Sequence, residues 1–215
     1  MSTATNIKTL RARSGAGILD CKKALNESSG DLDAAMDWLR AKGIASAAKK
    51  SSRIASEGLV GSYIHANGKI GVLLEINCET DFVALNDGFQ GLVRDIAMHI
   101  AASAPDYVSR DEVPSDVADK ERTVQLARTI EEGKPEHIAE KIVEGRMNKW
   151  FQDVCLLEQK YVKNDEKTVE QIIQDSIATI GENIRIRRFS RYVLGEGLEK
   201  RSDDFASEVA AQAGL

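Results

Sequence analysis

The sequence predicts an α+β protein, in which a three-helix N-terminal module precedes a small antiparallel sheet packed by helices. A helical hairpin is expected to protrude from this second part. Three observations predict this class. Residues 1–43 hold three short amphipathic segments divided by glycines, residues 59–78 alternate apolar and polar side chains around an Asn-Gly pair, and residues 115–160 follow a helical pattern that breaks once.

The first 43 residues are predicted to form a helical docking module. Asp31 is placed to cap the third helix and Gly43 to end it. A bundle of this size buries little apolar area, so docking suits it better than catalysis. The apolar residues that recur at helical spacing are Ile7, Leu10, Ile18, Cys21, Leu25, Leu32, Ala35, Met36 and Leu39.

Residues 44–57 are rich in Ala, Ser and Lys and show no wide apolar face. They are therefore predicted to form a linker, and the domain boundary is placed there. The α+β core, which is also the expected dimerisation domain, then covers residues 58–215.

The clearest β signal is a hairpin. Residues 59–66 and 69–78 are predicted strands, and Asn67-Gly68 between them supplies the positive φ angles of a type I′ turn. Strict alternation on the second strand predicts one buried face. That face carries Ile70, Val72, Leu74, Ile76 and Cys78.

Residues 79–85 link this strand to a strongly amphipathic helix that Asn86 is placed to cap. Both neighbours should hold the link firmly. By spacing alone, Asp81 would cap a turn and Phe82 would lie in the core. The apolar face of the helix carries Phe89, Leu92, Val93, Ile96, Ala97, Ile100 and Ala101.

Gly133-Lys134-Pro135 divides the next helical region into two arms, about residues 115–132 and 136–160. The arms carry many charges and a thin apolar stripe, which predicts an antiparallel hairpin that projects from the core. The remaining predicted elements are a helix over about 168–180, a strand over about 184–195 and a C-terminal helix over about 202–213.

The net charge of −5 argues against a general nucleic-acid binder, which needs a surface that neutralises phosphates. One basic run is dense enough to form a local patch. We interpret it as the solvated face of a strand. It consists of Arg185, Arg187, Arg188 and Arg191.

The cysteines Cys21, Cys78 and Cys155 lie far apart in sequence and form no CxxC motif, which fits a reducing compartment. No apolar run approaches the ~20 residues of a membrane span, and the N-terminus lacks the apolar region of a secretory signal. The protein is therefore expected in the cytoplasm, without a membrane partner.

No signature of catalysis or of a bound cofactor is visible. The motifs GxxxxGK[ST] and GxGxxG are absent, and His65, His99 and His137 lie in no zinc-ligand spacing. Asp81 would need a second group to act as a catalytic base, and the sequence indicates none. No catalytic residue, metal or cofactor is predicted.

Two motifs resemble signatures of the bacterial elongation factor Ts family. Residues 10–25, LRARSGAGILDCKKAL, resemble its N-terminal signature, and residues 75–84, EINCETDFVA, resemble its second. Motifs of this length in a fixed order are far more specific than any single one. Similar stretches follow in the same order and extend the resemblance over nearly the whole chain: residues 99–103, 107–114, 133–147, 156–159, 195–200 and 204–212.

The resemblance implies a guanine-nucleotide exchange factor for elongation factor Tu in translation elongation, which acts by protein–protein binding and not as an enzyme. Such a factor binds the GTPase in its GDP-bound and nucleotide-free states. It displaces Mg²⁺ and promotes GDP release so that GTP can rebind. The N-terminal module would be similar to the ubiquitin-associated fold.

The same resemblance implies which residues contact elongation factor Tu. A segment of four residues would insert beside the nucleotide site, with Asp81 and Phe82 held outward, and an exposed loop of the module would make a second contact. For His99, a partner contact and a half-buried structural role are equal alternatives. The implied residues are Thr80, Asp81, Phe82 and Val83, then Ile18 and Leu19, then His99.

The chain departs from the family pattern at three positions. Ser14 stands where Thr is usual, Leu85 where a basic residue or Asn is common, and Lys160 where Pro is common. The longest family members carry two copies of the core sheet unit, whereas this chain carries one. A single unit with an exposed helical hairpin predicts a homodimer that completes the binding surface.

Two rival classes of function are open. A scaffold or ribosome-associated adaptor would use the three-helix module to bind peptides or ubiquitin-like folds. An enzyme would need a convergent polar pocket, which the sequence does not indicate.

Overall fold

A computed structural model describes residues 3–199. The predicted C-terminal helix over 202–213 lies outside the described residues. The helices are α1 (Thr3–Ser14), α2 (Ile18–Glu27), α3 (Leu32–Lys50), α4 (Asp81–Ala84), α5 (Asp87–Ser103), α6 (Ser115–Glu131), α7 (Glu136–Val154) and α8 (Val169–Ile180). The strands are β1 (Glu57–His65), β2 (Ile70–Cys78), β3 (Lys160–Tyr161), β4 (Asn164–Thr168) and β5 (Arg185–Val193).

The α+β class is confirmed by an antiparallel sheet in the order β1-β2-β5, which helices cover on one face. The hairpin of β1 and β2 turns at Asn67 and Gly68, both of which have positive φ. The N–H of Lys69 donates to the carbonyl of Ala66 and closes this turn. The predicted turn at Asn67-Gly68 is therefore confirmed in position, but Ala66 also has positive φ and the strands pair only up to His65 and Ile70, so the connection spans four residues.

The main core lies between the sheet and α5, with α8 beside them. The predicted inward face of β2 is confirmed for Val72, Leu74, Ile76 and Cys78, which are all at most 2% exposed, whereas Ile70 at its start is only partly buried. Asn86 caps α5 as predicted, because its side chain accepts hydrogen bonds from the first turn of that helix.

Helices α1 to α3 form the predicted three-helix module around a small separate core of Leu10, Cys21, Ala24, Leu25 and Ala35. The N-cap prediction for Asp31 is confirmed, because its side chain accepts from the N–H of Ala34 at 2.7 Å.

The prediction that Gly43 ends α3 is wrong, because the helix continues to Lys50. The Ala- and Lys-rich sequence after Gly43 favours helix. A Cβ at position 43 would lie 3.3 Å from the Cβ of Ala178 in α8, so glycine allows the two helices to approach closely. The predicted linker over 44–57 is thus helical in its first half, where α3 packs against α8.

Helices α6 and α7 pack along each other and confirm the predicted hairpin. The second arm does not extend to residue 160, since α7 ends at Val154 and a 3₁₀ turn, Leu156–Glu158, follows. Lys160 begins the small two-stranded sheet of β3 and β4, which the sequence analysis missed. These strands are short and largely polar, so they carry no alternating pattern.

Strand β5 is confirmed as the carrier of the basic run. A register shift beside Glu75 brings two adjacent arginines, Arg187 and Arg188, onto its carboxylate at 2.9 and 2.7 Å. Both arginines are more than 60% exposed and Arg185 is exposed as well, so the interpretation as a solvated strand face is confirmed for these three residues. It is wrong for Arg191, which is half-buried and donates to the carbonyl of Ala101 in α5. None of the helices within residues 3–199 is long and apolar enough to cross a membrane.

Candidate protein-binding surface

The 80–83 segment forms most of a single helical turn, α4, between β2 and α5. Two residues of this turn face inward, since Val83 packs against the main core and Ala84 is only 6% exposed. Phe82 is 80% exposed. The interpretation of Phe82 as a core residue, made from spacing alone, is therefore wrong. Val83 and Ala84 already fill the inward side of the turn, which leaves Phe82 on the solvent side.

Leu85 extends the exposed apolar surface beside Phe82. It is 72% exposed and lies three residues after Phe82, a spacing that puts two side chains on one side of a helical turn. Burying a Phe or Leu side chain stabilises a fold by roughly 1.5–3 kcal/mol. Phe82 and Leu85 do not contribute this free energy to folding, because both are exposed. Clustered apolar side chains on a surface mark a site that binds another molecule.

Asp81 stands beside this apolar pair with an exposed carboxylate. Within the described part of the chain its side chain has no hydrogen-bond partner, so the expectation that it caps a turn is wrong. Thr80 occupies the N-cap position of α4, and its hydroxyl bonds to Glu182 instead of to the helix. The Asp81 carboxylate is therefore available to accept hydrogen bonds from a partner.

The segment is anchored from behind by the turn that follows α8. The carboxylate of Glu182 accepts from the backbone N–H groups of Glu79 and Thr80, at 3.0 Å each, and from the Thr80 hydroxyl at 2.7 Å. In return, the Glu79 carboxylate accepts from the N–H of Asn183 at 2.6 Å. Sequence reasoning missed Glu182, because it lies 102 residues from Thr80 and in no motif for chemistry.

Cys78 completes the anchor on the inner side. Its thiol donates to the carbonyl of Thr80 at 3.1 Å. Burial, followed by the negative charge of Glu182, raises the pKa of the Cys78 thiol. The thiol therefore stays protonated at neutral pH and keeps this hydrogen bond. Cys21, Cys78 and Cys155 are all free and buried.

Ile18 and Leu19 form a second exposed apolar pair on the three-helix module. They are 55% and 81% exposed and lie in the first turn of α2, so the predicted loop position is wrong. The preceding turn is closed locally by Ser14, whose hydroxyl donates to the carbonyl of Leu10 and accepts from the N–H of Ala16. The departure to Ser at position 14 thus retains a hydroxyl that the turn uses.

His99 is fully buried and presents no surface to a partner in this structure. Its Nδ1 accepts from the N–H of Val162 at 3.2 Å, so its Nε2 carries the proton and donates to Oε1 of Gln159 at 3.0 Å. Burial lowers the pKa of His99, which keeps the ring neutral. The structural role that was predicted for His99 assumed a half-buried side chain, whereas the side chain is fully buried. Its hydrogen bond to Val162 connects the β3–β4 hairpin to α5.

No group of three or more His, Cys, Asp or Glu side chains among residues 3–199 is arranged to hold a metal ion. Two exposed apolar pairs, Phe82 with Leu85 and Ile18 with Leu19, lie within or directly beside the motifs at residues 75–84 and 10–25. An outward apolar turn on a firmly held support is typical of a factor that acts by binding another protein.

The chain belongs to the elongation factor Ts family. The family model described as Elongation factor TS matches residues 44–196. The chain is 62% identical over 213 residues to Elongation factor Ts of Geobacter metallireducens, with 99% of each chain covered. It is 59% identical over 213 residues to Elongation factor Ts of Geobacter sulfurreducens, again with 99% of each covered. For Elongation factor Ts of Desulforamulus reducens the identity is 59% over 210 residues, covering 98% of this chain and 97% of the relative.

These matches confirm the resemblance carried by the motifs at residues 10–25 and 75–84. Proteins of the elongation factor Ts family are the nucleotide exchange factors for elongation factor Tu in translation elongation.

Proposed function

We propose that this chain binds GDP-bound elongation factor Tu, displaces Mg²⁺ and promotes GDP release so that GTP can rebind. It acts by protein–protein binding and converts no substrate of its own. The observation that carries this proposal is Phe82, 80% exposed on a turn anchored to the main core. The relatives' printed name, Elongation factor Ts, supports the same assignment.

The factor promotes GDP release because its own binding to the GTPase is coupled to that of the nucleotide. A GTPase holds GDP and Mg²⁺ through loops that the nucleotide orders. A factor that binds the nucleotide-free form more tightly must weaken nucleotide binding by the same factor, because coupling between two ligands is reciprocal. Exchange therefore requires contacts that the factor makes better in the nucleotide-free state.

Phe82 and Asp81 supply the two kinds of contact that this coupling needs. The Phe82 ring, inserted beside the nucleotide site, displaces side chains that hold Mg²⁺ and thereby weakens the binding of Mg²⁺ and GDP together. The Asp81 carboxylate accepts hydrogen bonds from donors that otherwise hold phosphate. Thr80 and Val83 fix the turn from either side, one through Glu182 and the other through the core.

Phe82 alone is not sufficient for fast exchange. Burying one Phe yields roughly 1.5–3 kcal/mol, and each tenfold in rate needs about 1.4 kcal/mol, so its limit is about a hundredfold. A second contact must keep the factor bound to the GTPase while Phe82 acts, and we assign it to Ile18 and Leu19 on the docking module. This contact adds affinity, whereas the release step itself depends on Phe82 and Asp81. His99 supports the core behind this surface and makes no direct contact, since its side chain is fully buried.

The direct test follows fluorescent GDP as it leaves elongation factor Tu, with and without this chain, in the presence of excess unlabelled nucleotide. We expect faster release with the chain and suppression of the effect by added Mg²⁺. An unchanged release rate would contradict the proposal. A pull-down from bacterial cytosol separates the adaptor alternative: elongation factor Tu should dominate the captured protein, and GDP with Mg²⁺ should release it.

We also propose that the chain forms a homodimer through the outer face of its sheet. Four apolar side chains project from this face and are between 51% and 71% exposed: Val60, Ile64, Leu73 and Tyr192. A contiguous apolar face of this kind is typical of an interface between protein chains. Light scattering at micromolar concentration should give twice the chain mass, and Leu73→Asp should halve it. A monomeric mass for the unsubstituted chain would rule the dimer out.

The division of the chain and its location complete the proposal. We place a docking module in residues 1–43 and an α+β domain from residue 58 onwards, with residues 44–57 between them. The small core of the module lies within the first 43 residues, whereas Ala47 in the second half of α3 belongs to the main core. Free, buried cysteines suit a reducing compartment, so we place the protein in the cytoplasm.

A further inference from the structure

The turn after α8 lies where three separate segments of the chain meet. Gly181 ends α8 in the left-handed conformation, with φ of 95°, and directs Glu182 and Asn183 away from the helix axis. Glu182 reaches the start of the 80–83 segment, whereas Asn183 reaches the stretch between α3 and β1. One short turn thus contacts the chain on both sides of the β1–β2 hairpin.

Glu182 holds the two residues that lead into α4, Glu79 and Thr80. The N-cap residue of α4, Thr80, makes no side-chain bond to its own helix. Instead, one carboxylate oxygen of Glu182 accepts the N–H groups of Glu79 and Thr80, and the other accepts the Thr80 hydroxyl. Hydrogen bonds to an ionised acceptor are about twice as strong as neutral ones. A helix of four residues is not stable in isolation, so its direction depends on such bonds.

Asn183 ties the same turn to the end of the docking module. Its side chain is only 2% exposed, and its amide donates to the carbonyl of Arg53 at 2.8 Å. Its backbone N–H donates to the carboxylate of Glu79 at 2.6 Å. The segment leaving α3 and the segment entering α4 therefore share one support.

We propose that Glu182 is a positioning residue for nucleotide exchange, which aims Phe82 by fixing the start of α4. This inference rests on the proposed function. Glu182 itself touches no nucleotide in this scheme and acts only through Thr80 and Glu79. Without its carboxylate, the first turn of α4 loses its three tertiary hydrogen bonds to Glu182, and the Phe82 ring samples several directions in place of one.

The test compares Glu182→Ala and Glu182→Gln in the full-length chain. A misplaced contact group can lower a rate by about a hundredfold, so we expect Glu182→Ala to lower the GDP-release rate at saturating factor by about tenfold. Glutamine can still accept both N–H groups through its carbonyl oxygen and donate its amide to the Thr80 hydroxyl. We therefore expect Glu182→Gln to restore the rate to within about threefold of the unsubstituted chain.

A double-mutant cycle with Phe82→Ala separates positioning from a general structural role. If Glu182 acts through Phe82, adding Glu182→Ala to the Phe82→Ala variant should change the release rate by less than about threefold, because the ring that Glu182 positions is already absent. Independent effects would instead multiply and would overturn the inference. Hydrogen exchange supplies a second readout: the amides of Glu79 and Thr80 should lose protection in Glu182→Ala and keep it in Glu182→Gln.

Glu112→Ala is the matched control, because Glu112 also binds a backbone N–H through its carboxylate, that of Val108 at 3.0 Å. It should leave the release rate unchanged. If Glu182→Ala does not fold, Thr80→Val removes the hydroxyl bond alone and should slow release about threefold. An unchanged rate in the folded variant tested would overturn the role of Glu182 while leaving the proposed function intact. If the unsubstituted chain fails to accelerate release, the proposed function itself fails.

Discussion

The two exposed apolar contacts of this protein are supported in different ways. Phe82 lies on a helix of four residues that is held by the main core and by Glu182, 102 residues away from Thr80. Leu19 lies on α2, a helix of ten residues in a module whose core contains five buried side chains. The direction of Phe82 therefore depends on long-range tertiary contacts, whereas that of Leu19 depends on a local helix and a small core.

A substitution in the small core of the module should have the largest effect, because it should unfold the support of Leu19 and leave the support of Phe82 intact. Leu25 is 3% exposed in the module, and replacing a buried Leu by Ala costs about 2–5 kcal/mol. We expect Leu25→Ala to unfold the module while the main core stays folded. Hydrogen exchange should show lost protection in α1, α2 and the first half of α3, and normal protection in β2 and α5. The second half of α3 should stay protected, because it packs against α8.

Leu126→Ala, at a partly exposed position of α6, is the control and should change neither region. If Leu25→Ala lost protection equally in the module and in the main core, the two cores would unfold as one unit. Leu19 and Phe82 would then not be supported independently.

Removal of the exposed side chain itself should have a smaller effect. Leu19 is 81% exposed, so Leu19→Ala should leave stability unchanged. The loss of about 1.4 kcal/mol of contact should raise the factor concentration for half-maximal GDP release about tenfold, with the maximal rate unchanged. Leu198→Ala, at a similarly exposed position, should behave like the unsubstituted chain. A lower maximal rate for Leu19→Ala would show that the module takes part in the release step itself.

Acid pH should weaken the main core and spare the module. Burial lowers the pKa of His99 below 6.5 in the folded protein, whereas the unfolded chain titrates near that value. As the pH falls below 6.5, the unfolded state therefore binds a proton that the folded state resists, and the free energy of unfolding decreases. At pH values well above 6.5, His99 is neutral in both the folded and the unfolded state, and its contribution to the free energy of unfolding no longer changes with pH.

Urea unfolding at about pH 5.5 and about pH 7.5 measures this effect, which cannot exceed about 1.4 kcal/mol per pH unit. His99→Asn should reduce the difference in the free energy of unfolding between the two pH values. The control His65→Asn, at an exposed position, should leave that difference unchanged. An identical pH dependence in His99→Asn and the unsubstituted chain would exclude His99 as its source.

The elements that were predicted correctly from the sequence are those whose structure is determined by residues close together in the chain. The Asn-Gly turn, the alternating face of β2 and the apolar face of α5 each follow from the spacing of neighbouring residues. Pro135 and Gly133 likewise mark the break between α6 and α7. A strong periodic pattern is compatible with only one secondary structure, so tertiary contacts rarely change the conformation of such a segment.

The errors have a common cause in tertiary contacts. Gly43 has the local signature of a helix end, but α8 packs against it and α3 continues. Phe82 has the composition of a core residue, but Val83 and Ala84 occupy the inward side of its turn. The motif at residues 75–84 indicated where the binding segment lies, whereas the role of Glu182 depends on a fold that brings residues 102 apart in sequence together.

The central claim is that an exposed, firmly held Phe82 promotes nucleotide release, and Phe82→Ala tests it most directly. Because Phe82 is 80% exposed, this substitution should leave thermal unfolding unchanged. The rate at which fluorescent GDP leaves elongation factor Tu at saturating factor should fall by about 10- to 100-fold relative to the unsubstituted chain. If labelled GDP leaves equally fast with the two proteins, Phe82 does not promote release, and the 80–83 segment does not act through its exposed ring.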